Sequence, residues 1–92
     1  MIGSMTEHET RREEMLIPFI EVITSAREEH GLTRQALSEK AKFSKKYVTL
    51  VETGYRLPPL ESMIVLCAAA GVPRKKTEKL VKDAMDSLQW ER

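Results

Sequence analysis

The size and composition of the chain exclude several classes of protein. It has 92 residues, a formal net charge of +1 and one cysteine, and it contains no apolar run near the ~20 residues that span a bilayer. We therefore expect one small domain outside the membrane, in the reducing cytoplasm. Helical apolar spacing without strand-like alternation predicts an all-α fold, a compact bundle of four to five helices.

The charge is unevenly distributed along the chain. Residues 1–30 carry a balance of −4, residues 31–57 a balance of +4 and residues 58–92 a balance of +1. The positive charge is therefore concentrated in the middle of the chain, which is where we expect a polyanion to bind.

The N-terminal segment, residues 1–17, is interpreted as an arm or a short lead-in helix. Residues 1–4 precede a second methionine, Met5, and are interpreted as a cloning remnant. Proline is favoured at the first position of a helix and disrupts a helix interior, so the first helix of the domain is predicted to begin near Pro18. Arg11 and Arg12 have two interpretations: a minor-groove arm, or part of a solvated face among glutamates, which we prefer.

The central domain is predicted to extend over residues 18–73. It contains the helix that begins near Pro18 and three further helices. Thr33 is predicted to cap a helix over Arg34–Ala41, because its hydroxyl can accept a bond from a first-turn amide. After a short turn, Ser44 is predicted to cap a helix over residues 45–53, whose inward face holds Val48 and Val51. A helix over Leu60–Ala70 is predicted to end at Gly71, a residue that adopts the left-handed conformation easily.

The C-terminal region, residues 74–92, is basic at first and is then predicted to form a last helix. Its apolar residues fall on one broad stripe. The stripe can pack on its own domain or form a dimer interface, and the sequence leaves both open. The candidate interface residues are Leu80, Val81, Ala84, Met85, Leu88 and Trp90.

An ordered set of residues between Arg27 and Val72 resembles the helix-turn-helix domain of phage repressors, Cro proteins and related bacterial regulators of the xenobiotic-response-element type. The set comprises Arg27-Glu28-Glu29, Gly31-Leu32-Thr33, Leu37, Ser44, Val48, Glu52, Gly54, Pro58, Leu60 and Gly71-Val72. The segment covers about half the chain. It departs from the family at Arg34, Ser38 and Lys42, where members usually have glutamine, alanine and glycine.

The resemblance implies a lambda-repressor-like fold and a recognition helix, residues 45–53, in the major groove of double-stranded DNA. It also implies that Arg27 pairs with Glu52 in an architectural ion pair. By position in the family, the base-contact candidates are Lys45, Lys46, Thr49 and Leu50. The phosphate candidates are Arg34, Ser44 and Arg56, and for Tyr47 a phosphate contact and a packing role are equally open.

The implied function is a small repressor or autoregulator of a phage or mobile-element operon, which binds a palindromic operator as a homodimer. The two histidines and one cysteine are not spaced as the ligands of a known metal motif are. We therefore expect that the protein is not an enzyme and has no catalytic residues, no metal and no cofactor. A protein partner remains the alternative: the chain would then be an antitoxin-like adaptor whose helical surface binds another protein.

Overall fold

The computed structural model describes residues 7–88, with side chains from residue 12 onward. All regular elements in that range are α-helices: α1 Glu7–Glu29, α2 Arg34–Lys40, α3 Tyr47–Glu52, α4 Leu60–Ala70 and α5 Arg74–Ser87. The predicted all-α fold is thereby confirmed. None of these helices is both long enough and apolar enough to cross a membrane.

The long helix α1 differs from the prediction of a helix that begins near Pro18. It runs without a break from Glu7 to Glu29 and contains Pro18 in its interior. An interior proline removes one backbone hydrogen bond and costs about 3 kcal/mol. Burial of Leu16, which is fully enclosed, offsets part of that cost. Pro18 itself is exposed, so water can reach the side of the helix where the hydrogen bond is missing.

Arg12 also holds the first part of α1 against the domain. Its Nη2 donates hydrogen bonds to the backbone oxygens of Leu57 and Pro58, at 3.1 and 2.9 Å. Arg12 therefore anchors the loop between α3 and α4, which is neither of the two roles that the sequence had suggested. The side chain of Arg11, the segment 1–4 and Met5 lie outside the described residues.

The core is formed where α1 and α4 cross and where α2 and α3 pack beside them. Its fully enclosed side chains come from α1, α2, α3 and α4 and from Pro58 in the loop before α4, and α5 adds Ala84 at the edge. The largest of them are Phe19, Leu16, Ile23, Leu37, Met63 and Leu66. A core of this kind leaves the outward faces of α2 and α3 available to solvent.

Four helices end with the same backbone motif. At the end of α2 the N–H of Phe43 donates to the carbonyl of Ser38 and the N–H of Lys42 donates to the carbonyl of Glu39, which is the Schellman pattern. The same pair of bonds ends α1, α3 and α4, where the residue with positive φ is a glycine. At the end of α2 it is Lys42, with φ of 67°.

Candidate nucleic-acid interface

The helix α3 is held by its inner face and presents its outer face to solvent. Val48 and Val51 are buried, while Thr49 and Leu50 are only half-buried. Lys46 precedes Thr49 and Leu50 by three and four residues, so these three side chains share one face. The structure thus brings three of the predicted base-contact residues together on the outer surface.

The residues before α3 lie in a turn and not in the predicted helix over 45–53. Ser44, Lys45 and Lys46 are all exposed, and α3 begins at Tyr47 with Lys46 at the cap position. Ser44 accepts a bond from the N–H of Tyr47 through its backbone carbonyl. Among the described residues, the Ser44 hydroxyl makes no hydrogen bond, so the prediction that it caps this helix is wrong.

The hydroxyl that serves the first turn of α3 belongs instead to Ser38 of α2. Ser38 is fully buried; its Oγ accepts from the N–H of Val48 at 3.0 Å and donates to the carbonyl of Arg34 at 2.9 Å. Sequence reasoning missed this role. The available signal was a serine within the apolar stripe of α2, between Leu37 and Ala41.

Tyr47 is a packing residue in this structure. Its side chain is buried, and its ring stacks on Phe43 with centroids 4.1 Å apart and an interplanar angle of 17°. The guanidinium carbon of Arg56 lies 5.2 Å from the centre of the Tyr47 ring, within the range of a cation–π contact. Of the two roles open for Tyr47, the structure shows packing, and a phosphate contact stays a prediction.

Arg27, Glu52 and Arg34 form one connected group behind α3. Arg27 Nε and Nη2 donate to the two carboxylate oxygens of Glu52 at 2.8 and 3.1 Å, and Arg34 Nε donates to Glu52 Oε1 at 2.8 Å. The hydrogen bond to Glu52 raises the pKa of Arg27 above its usual value. Glu52 therefore joins the end of α3 to both α1 and α2.

The three phosphate candidates surround α3. Ser44 precedes it, Arg34 is attached to its end through Glu52, and Arg56 lies over Tyr47 in its first turn. Arg34 and Arg56 are both exposed. Their contact with phosphate stays a prediction.

The apolar stripe of α5 divides into a buried part and an exposed part. Ala84 is buried, and Leu80 and Val81 are half-buried against the same core. Met85 and Leu88 are exposed, while Trp90 lies outside the described residues. Ala84 is thus removed from the candidate dimer interface, because its side chain already packs within its own chain.

A comparison with protein-family models matches residues 23–76 to the helix-turn-helix family. The chain belongs to the helix-turn-helix family. The match covers more than half of the sequence and includes α2, α3 and α4 entirely. Comparisons with curated proteins and with solved structures found no match.

Membership of the helix-turn-helix family makes this chain a DNA-binding transcriptional regulator in the general sense. The family is regulatory and not catalytic. The one cysteine, Cys67, is fully buried, and burial raises the pKa of its thiol, so the protonated form is favoured. Among the described residues, no group of three metal-binding side chains is present.

Proposed function

We propose that this helix-turn-helix protein is a sequence-specific repressor or autoregulator that inserts α3 into the major groove of its operator. The observation that carries the proposal is the exposed pair Lys45-Lys46 next to the outward face of α3. Lysine can donate to guanine O6 and N7, and Leu50 offers an apolar contact for a thymine methyl group. We place this activity in the cytoplasm, at an operon of a phage or mobile element.

Homodimeric binding to an inverted repeat is part of the proposal. One domain of this size reads only a few base pairs, so two copies on a palindrome provide the specificity that a single copy lacks. The half-site centres are expected about 10 base pairs apart, or a multiple of that distance. The exposed Met85 and Leu88 of α5 are the described residues that best fit the interface between copies.

The test is a titration of DNA from upstream of the protein's own gene at several salt concentrations. If Lys46 binds a phosphate, Lys46→Ala lowers the affinity and reduces the slope of log K against log salt by about 0.9. If Lys46 reads guanine, the base preference changes as well. Lys75→Ala, an exposed lysine on α5, is the matched control; a Lys46→Ala variant that behaves like it removes Lys46 from the interface.

A protein partner is the second candidate, and a groove beside α1 favours it. Tyr55, 84 % exposed, and Ile17, 42 % exposed, border a groove of about 350 Å³ that Glu13 and Glu21 also line. Arg56 lines the groove as well, so its apolar side chains lie beside two exposed carboxylates and one arginine. This slightly acidic surface suits a basic, amphipathic segment of another protein. Co-purification with the product of a neighbouring gene that is lost in Tyr55→Ser supports this candidate, and unchanged co-purification excludes the groove.

A further inference from the structure

The loop between α3 and α4, residues 53–59, is attached to the domain at two places that flank Arg56. On one side, the backbone N–H of Arg56 donates to the carbonyl of Leu50 at 3.1 Å. On the other side, Arg12 Nη2 donates to the two successive carbonyls that follow Arg56. The first attachment is made to α3 itself, whereas the second comes from α1, about 45 residues earlier in the chain.

The end of this loop has few donors of its own with which to form an attachment. Pro58 and Pro59 have no backbone N–H, and within residues 7–88 the N–H of Leu57 makes no backbone hydrogen bond. The carbonyls of Leu57 and Pro58 accept from Arg12 at 3.1 and 2.9 Å. No backbone N–H in the same range donates to either of them, so their described hydrogen bonds come from Arg12 alone.

Arg56 lies at the end of α3 that carries the exposed lysines. Its guanidinium carbon is 5.2 Å from the centre of the Tyr47 ring, and Tyr47 is the first residue of α3, directly after Lys45 and Lys46. The Tyr47 ring is buried and stacked on Phe43, so it forms a fixed support on which the exposed Arg56 rests. The position of the Arg56 charge relative to the two lysines therefore depends on where the loop backbone is held.

We propose that Arg12 is a positioning residue for DNA binding: it anchors the loop on α1 and thereby holds the Arg56 guanidinium beside Lys45 and Lys46, on the surface that meets DNA. The inference rests on the proposed DNA binding. The match to the helix-turn-helix family begins at residue 23, so the anchor belongs to the part of α1 that precedes the matched domain. It gives a role to the helical residues before Pro18.

A double-mutant cycle tests the coupling between Arg12 and Arg56. Binding of a mixed-sequence DNA duplex is measured for wild type, Arg12→Gln, Arg56→Gln and the double variant. We expect Arg56→Gln to weaken binding roughly tenfold at low salt and to reduce the salt slope by about 0.9. Arg12→Gln should weaken binding roughly threefold in the wild-type background but by less than about 1.5-fold in the Arg56→Gln background, because the contact that it positions is then already lost.

Lys75→Gln provides the matched control cycle. It removes one exposed positive charge from α5 and not from α1 or the loop, so its effect and that of Arg56→Gln should multiply. A general effect of charge at Arg12 would behave in the same way. Arg12→Lys keeps the charge and a donor group, and it replaces Arg12→Gln in the cycle if thermal melting shows that Arg12→Gln is unfolded at the temperature of the titration.

Hydrogen exchange of the free protein provides a readout that does not involve DNA. The N–H of Arg56 should exchange at least about threefold faster in Arg12→Gln than in wild type, because the loop has lost one of its attachments. The N–H of Leu66, a buried residue of α4, is the internal reference. If Arg12 only stabilised the domain as a whole, exchange at Leu66 would accelerate as well.

Three results overturn the inference. They are effects of Arg12→Gln and Arg56→Gln that multiply, wild-type affinity in Arg56→Gln, and exchange at Arg56 that is unchanged by Arg12→Gln. Absence of DNA binding by the wild-type protein refutes the proposed function and, with it, any role of Arg12 in DNA binding. A failure of the inference alone is seen in a protein that binds DNA, so the two failures are distinguishable.

Discussion

The hydroxyl of Ser38 in α2 accepts a hydrogen bond from the backbone N–H of Val48 in the first turn of α3, at 3.0 Å. This bond joins the two helices of the helix-turn-helix motif directly. It satisfies a first-turn amide that the α3 ladder cannot pair. The orientation of the recognition helix therefore depends on a side chain that lies ten residues earlier in the chain.

We expect Ser38→Ala to lower the free energy of unfolding by about 1–2 kcal/mol, because it leaves the buried N–H of Val48 without an acceptor. Ser44→Ala is the matched control. Its hydroxyl is exposed, so the change should stay within about 0.5 kcal/mol. Urea denaturation measures both free energies of unfolding. A larger loss of stability in Ser44→Ala than in Ser38→Ala would show that Ser44, and not Ser38, caps α3.

The sequence predicted those features of the fold that depend on neighbouring residues. The cap by Thr33, whose hydroxyl accepts from the N–H of Ala36, and the limits of α4 follow from local rules and are observed. The course of α1 through Pro18 was missed because a local rule was outweighed by contacts far along the chain.

The candidate site shows the same division between local and distant interactions. Periodicity correctly placed Val48 and Val51 inside, with Thr49 and Leu50 on the outer side. The bond from Arg34 to Glu52 joins residues 18 positions apart. Neither spacing nor propensity contains that information, since the bond exists only once α2 and α3 have packed.

The pair Arg27 and Glu52 should be among the most sensitive positions for stability. Glu52→Ala leaves the buried Arg27 without its carboxylate partner, which costs about 3–5 kcal/mol. Arg27→Ala should cost less, because Glu52 keeps its hydrogen bond from Arg34. Thermal melting should show the loss. Arg74→Ala is the control: it removes an ion pair to Glu78 that is largely exposed and should cost less than 1 kcal/mol. A melt of Arg27→Ala that matches Arg74→Ala contradicts the architectural role.

Lys42 is a position where a substitution should increase stability. Its φ of 67° lies in the left-handed region, which costs a residue with a side chain roughly 1–2 kcal/mol. Lys42→Gly removes that strain, and the greater freedom of glycine in the unfolded chain offsets part of the gain. We expect a net gain of about 0.5–1 kcal/mol in urea denaturation.

Lys40→Gly provides the control for Lys42→Gly. Lys40 is the last residue of α2 and has a helical backbone, where glycine costs up to about 1 kcal/mol. The two substitutions remove the same side chain two residues apart, so opposite signs identify backbone conformation as the cause. A loss of stability in both would mean that Lys42 does not adopt the left-handed conformation in solution.

The proposed dimer interface predicts that Met85→Lys weakens association between copies. Met85 is 47 % exposed on α5, so lysine is tolerated in the monomer but carries a charge into an apolar contact. Sedimentation equilibrium should show a shift towards monomer at micromolar concentration. Ser25→Lys, an exposed position on α1, is the control and should leave the association constant unchanged. Equal association in wild type and Met85→Lys would exclude Met85 from the interface and direct the search to other faces.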